Sequence, residues 1–103
     1  MEITRTEHPE AVTFTLSGRL DTVASPKLQE AIMPEISTGK SVSLDFAGVS
    51  YVSSAGLRVL LMGEKAAKAK SARQTLTGVS ASIMEVFEMT GFAAILTIVQ
   101  KQA

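Results

Sequence analysis

Apolar and polar residues change their period several times along the chain, and each change predicts an element. Residues 2 to 6 alternate weakly and "AVTFTLSG" (11–18) clearly, with Val12, Phe14 and Leu16 on one face and Thr13, Thr15 and Ser17 on the other. That is the period of a strand buried on one side. "EHPE" between them reads as a turn, so the two runs form a hairpin, and the polar face of the second predicts a sheet that helices cover on one side only. From Asp21 the period lengthens: Leu28, Ala31, Ile32, Glu35 and Ile36 keep helical spacing. This helix begins either with Ser25 as a cap before Pro26, or one turn earlier at Asp21 or Thr22. Pro34 predicts a kink or an early end, because an interior proline removes a hydrogen bond and crowds the preceding turn. "STGK" then reads as a loop.

Period two returns in "SVSLDF" (41–46), where Val42, Leu44 and Phe46 oppose Ser43 and Asp45, and "AGVSYVSS" leads on to a helix from about Ala55 to Lys70. Leu57, Leu60 and Leu61 face inward there; Arg58, Lys65 and Lys68 share a side, and Glu64 to Lys68 is a favourable i,i+4 pair. "RQTLTGV" (73–79) reads as a strand. "SASIMEVFEMTGF" reads as a short helix with Ile83, Val86 and Phe87 inside, begun by Ser80 or by a Ser82 to Glu85 capping box and stopped by Gly91. "AILTIV" closes the chain as a strand. The order ββαβαβαβ describes an α/β fold over residues 1–103, a mixed sheet with helical crossovers packed mainly on one face.

Composition narrows the possibilities. With 103 residues, 46% of them hydrophobic, the chain suits one compact domain around one core. Ten Lys and Arg balance ten Asp and Glu, so no net field draws a nucleic-acid backbone. The basic run Lys65–Lys70 with Arg73 lies in an Ala-rich helical pattern and reads as a solvated face. There is no cysteine, hence no disulfide framework, thiolate metal site or thiol nucleophile. The opening "MEITRTEHPE" lacks the basic-then-apolar order of a signal peptide, and no run of about 18 apolar residues occurs. These features read as a cytoplasmic protein that does not insert into membranes.

Candidate chemistry is sparse. A catalytic serine needs a base, normally His; the one histidine, His8, sits in the "EHPE" turn, and no GxSxG elbow occurs. Asp21, Asp45, Glu85 and Glu88 have no metal-binding spacing, and no phosphate-loop signature points to a cofactor. Met62, Met84 and Met89, at helical spacing among Leu, Val and Phe, read as gap-fillers of a core. Another protein is the ligand class left. Taken locally, Ser54 reads as the cap of the long helix, its oxygen satisfying a free amide.

Three segments together are more specific. "SGRLDT" (17–22), "SLDFAGVSYVSSAGLRVLL" (43–61) and "VFEMTGF" (86–92) resemble, in order and spacing, the STAS domain, in particular the bacterial anti-sigma factor antagonists. The resemblance implies a non-enzymatic protein that binds an anti-sigma factor which is also a serine kinase, and so frees a sigma factor. Phosphorylation of one serine ends the binding, and a PP2C-type phosphatase restores it. The family pattern reads Asp-Ser-Ser-Gly-Leu; matching Gly56 and Leu57 to its Gly-Leu places the phosphate acceptor at Ser54, with Ala55 at the second serine and Ser53 at the usual Asp. Asp21 matches an acidic position near the family's partner surface. The implied partner-binding residues are therefore Asp21, Thr22, Ser53, Ser54, Ala55, Gly56, Leu57 and Arg58. The other reading of the same fold is a STAS interaction module that is never phosphorylated, in a transporter or signalling assembly; Ser53 in place of Asp is its best argument.

Overall fold

In the computed structural model, which describes residues 1–99, five strands lie side by side in chain order in a single sheet. The strands are β1 (Glu2–Glu7), β2 (Ala11–Leu20), β3 (Ser41–Val52), β4 (Gln74–Thr77) and β5 (Thr97–Val99). A hairpin joins β1 to β2 antiparallel. The remaining neighbours are parallel, as they must be when each connection crosses over through a helix. These helices are α1 (Ala24–Ser37), α2 (Ser54–Ala69) and α3 (Ala81–Thr90), the last followed by a 3-10 turn at Phe92–Ala94.

The two faces of the sheet differ as the alternation requires. Val12, Phe14 and Leu16 of β2, Val42, Leu44 and Phe46 of β3 and Leu76 of β4 are buried against Leu28, Ile32 and Ile36 of α1, Leu57 and Leu60 of α2 and Ile83 and Phe87 of α3. Phe46 and Phe87 meet edge to face, their centroids 6.4 Å apart, a favoured aromatic geometry. On the other face a row of hydroxyl residues crosses the first four strands, Thr6, Thr13, Ser43 and Thr75 being successive partners in the register.

Several boundaries differ from the expectations. Helix α1 is set one turn before Ser25: Asp21 Oδ1 accepts the Ala24 amide at 2.9 Å. Ser25 itself is buried and donates its hydroxyl to the Asp21 carbonyl at 2.6 Å, so it is an interior residue of the first turn and no cap. Pro34 neither ends α1, which runs on to Ser37, nor faces the core. It is exposed, so the carbonyl it leaves unpaired can meet water, while buried Ile32 and Ile36 hold both sides of it to the core. The third strand extends to Val52, well beyond Phe46, because its second half pairs with the end of β2 through two register shifts. Strand β4 is shorter than residues 73–79, and the 3-10 turn delays β5 to Thr97. Ser80, and no Ser82 to Glu85 box, caps α3 by accepting the Ile83 amide, and Gly91 ends it in the left-handed region at φ 83°. Met89, expected in the core, is 79% exposed.

Candidate functional site

The last residues of β2 and β3 bring two distant loops together. Leu20 and Val52 are register partners and both are buried, so the next residues, Asp21 and Ser53, leave the sheet at the same edge. The Ser53 amide donates to the Leu20 carbonyl at 2.9 Å, extending the pairing by one bond into the loop.

Ser53, and not Ser54, is the cap of α2. Its backbone is extended (φ −85°, ψ 170°), its Oγ accepts the Gly56 amide at 3.1 Å and its carbonyl accepts the Leu57 amide at 2.9 Å, the arrangement of an N-cap. Ser54 is therefore the first helical residue. Its side chain is exposed and has no hydrogen-bond partner among the described residues.

Gly56 is required by closeness. A Cβ there would stand 2.8 Å from Leu20 Cγ and 3.0 Å from the Leu20 carbonyl oxygen, so any side chain would push the helix start away from β2. Gly56 and Leu57 are buried; they fix the loop from below, while Ser54 and Arg58 are exposed and Ala55 is half-buried above them. Across the edge, Thr22 is exposed and Asp21 half-buried. The Asp21 carboxyl is held below the usual aspartate range, first by the Ala24 amide and then by the Val23 amide and the Arg19 charge, against the opposing effect of burial. Thr22, Gln29, Ala55, Arg58 and Met62 line a groove of about 220 Å³ between α1 and α2. The structure thus gathers all eight residues singled out above at one edge: Thr22 on one side of the groove and Ala55 and Arg58 on the other, Asp21 and Ser54 next to them in the chain, and Ser53, Gly56 and Leu57 buried or nearly so beneath.

Other features were not read from the sequence. The Arg19 guanidinium lies over the Tyr51 ring, 4.2 Å from its centroid, just before the two loops. Their positions, two residues ahead of Asp21 and of Ser53 at the ends of neighbouring parallel strands, are the signal that would have found them. Glu64, expected on the solvated face, is 3% exposed. Its carboxylate accepts the Thr97 amide at 3.1 Å and the Thr97 hydroxyl at 3.2 Å, with Lys68 Nζ 4.0 Å away, and so fastens the edge strand β5. Gln74, fully buried, donates Nε2 to the Leu60 carbonyl at 2.9 Å, while its Oε1 has no partner. Among the described residues no group of three or more His, Asp or Glu is placed to hold a metal, and no helix is long and apolar enough to cross a membrane.

Comparison with known proteins agrees with this architecture. The family model described as "Mlab, STAS domain" matches residues 3–99. The anti-sigma-B factor antagonist of Listeria monocytogenes is 30% identical over 84 residues, 81% of this chain and 74% of the relative. Among solved structures, the anti-sigma factor antagonist SpoIIAA in its unphosphorylated form superposes with a TM-score of 0.78 at 20% identity, covering 98% of this chain and 90% of its own. The phosphorylated form of Bacillus SpoIIAA gives 0.77 at 21% identity, covering 98% and 92%.

Proposed function

The chain belongs to the STAS domain family, and we propose that within it this protein is an anti-sigma factor antagonist, switched off by phosphorylation of Ser54. Unphosphorylated, it binds an anti-sigma factor that is also a serine kinase, and the sigma factor held by that partner goes free. The relatives' function as antagonists supports this reading. The observation in this molecule that carries it is the state of Ser54: exposed next to Ala55 of the α1–α2 groove, its hydroxyl not used by the fold because Ser53 does the capping.

On this reading Ser54 is a substrate and not a catalyst. The lone histidine, His8, is bonded to Thr13 near the far end of β2, roughly 23 Å of strand away from Leu20 at about 3.3 Å per residue, so it is no base for the Ser54 hydroxyl. In the transfer, Ser54 Oγ forms a bond to the γ-phosphorus of ATP, the bond to the bridging oxygen breaks, ADP leaves and the hydroxyl proton passes to the kinase. The product carries about −1.5 to −2 charges. The first turn of α2 contains no acidic residue, so the helix N-terminus tolerates that charge and the fold survives. A partner seated over the groove would have to bury a heavily hydrated dianion, and each ~1.4 kcal/mol lost is a tenfold loss of affinity. A PP2C-type phosphatase resets the surface by hydrolysis. The cytoplasm, where sigma factors act, is the compartment this reading requires.

The test mixes the protein with an anti-sigma kinase and ATP and locates the phosphate by mass spectrometry. Transfer to Ser54, abolished in Ser54→Ala, and at least a tenfold weaker complex with Ser54→Asp are expected. Wild-type protein that binds its partner constitutively and accepts no phosphate would point instead to the passive interaction module.

A further inference from the structure

On the sheet side of the same edge, opposite the groove, Arg19 and Tyr51 stand side by side. We infer that this pair is a second arm of the partner surface, a cationic platform that receives an acidic side chain of the anti-sigma factor; the inference rests on the function proposed above. Leu20 and Val52 point into the core, so by strand alternation Arg19 and Tyr51, one residue earlier, point to the opposite face. Among the described residues no helix lies on that face to receive them. Tyr51 is among the few large apolar side chains left exposed, at 40%.

The pairing is produced by a bulge. From Ser17 and Gly18 the register of β2 runs to Gly48 and Val49; at Arg19 it has moved on by one residue, to Tyr51. Without that shift Arg19 would face Ser50 and the ring would lie opposite Leu20. Bulges beside functional sites commonly serve to re-aim a side chain, and here the extra residue brings a guanidinium over an aromatic ring next to Asp21 and Ser53.

Stacking fixes Arg19 and leaves its N–H edge open. Among the described residues no carboxylate lies within salt-bridge distance of it, whereas Arg5 and Lys40, at the other end of the sheet, are neutralised by Glu7 and Glu35. A planar guanidinium held this way suits a carboxylate, which it can bind with two parallel hydrogen bonds. Tyr and Arg are also the residue types most enriched where a few side chains dominate an interface. A partner that straddles the edge would then contact the α1–α2 groove with one part and the Arg19–Tyr51 platform with another.

The experiment measures affinity and Ser54 phosphorylation together, using the full chain and the purified anti-sigma serine kinase of the source organism at low and high salt. Arg19→Ala and Tyr51→Ala should each weaken the complex about tenfold or more. Tyr51→Phe, which keeps the ring, should bind like wild type, and Arg19→Lys should fall between. Salt should weaken the wild-type complex more than that of Arg19→Ala, which a merely structural role would not produce. Wild type that binds and is phosphorylated, with Arg19→Ala equal to it at both salts, would overturn this inference alone. Wild type that binds no anti-sigma factor would overturn it together with the function on which it rests.

Discussion

Two helices in this molecule begin with the same device, and only one of the two beginnings is a candidate site. In α2 the cap Ser53 accepts the amide of Gly56; in α3 the cap Ser80 accepts that of Ile83. Each has a second serine close behind. What differs is the surroundings. At α3 the third helical residue, Ile83, packs into the core, and the second serine, Ser82, is tied to the cap itself at 3.2 Å. At α2 the third helical residue must be glycine because Leu20 of β2 occupies the space, and the second serine is left untied. The capping bond is therefore structural in both places. A site arises where the cap is pressed against the end of a neighbouring strand and an uncommitted hydroxyl is left on the outside.

Exchanging the third helical residues tests this contrast most strongly. Ile83→Ala should cost about 2–5 kcal/mol by leaving a cavity. Gly56→Ala should cost about 1–3 kcal/mol by overpacking against Leu20; urea unfolding measures both, and a neutral Gly56→Ala would show that the α2 start is no tighter than that of α3. Removing the caps has a smaller effect. Ser53→Ala, which strips a buried bond, should destabilise by about 1–2 kcal/mol, and Ser80→Ala, at an exposed cap, by about 0.5–1 kcal/mol. Ser53→Asp should retain the cap, since a carboxylate accepts the same amide.

The smallest effect concerns acid. The folded-state pKa of Asp21 is depressed, so its contribution to stability is present above the unfolded value of about 3.9 and is lost as pH falls through the folded value. Asp21→Asn should therefore narrow the stability gap to wild type as pH drops below about 4. Glu7 and Glu35, depressed mainly by Arg5, supply an acid limb common to both proteins. A gap that does not change with pH in that range would mean that Asp21 contributes nothing through its charge.

What the sequence could reveal follows the range of the interaction. Strand β2 was legible because Val12, Phe14 and Leu16 alternate against Thr13, Thr15 and Ser17, and the end of α3 because glycine alone readily takes the left-handed turn at Gly91. The exchange of roles between Ser53 and Ser54 was not, because both satisfy the same local preference and the choice is made by the bond from Ser53 to Leu20, 33 positions back in the chain. The length of β3 was hidden for the same reason: its second half alternates poorly because two bulges interrupt it. Glu64 reads as a surface charge until β5 arrives to donate to it. The gathering of Asp21 with Ser54 came from the family resemblance, and the geometry shows why two loops so far apart in sequence share one edge.

The contact between Gly63 and Gln74 has a mechanical consequence for any signal written at the start of α2. Gln74 is anchored to the Leu60 carbonyl, and its other amide atom lies so close to Gly63 that a Cβ there would overlap it. Sliding α2 by one residue in either direction would bring Met62 or Glu64 into that space, so the helix is pinned at mid-length like a rod held by a set screw. A push on its first turn has no axial travel to convert into motion elsewhere. Information placed at that end must be read where it is written.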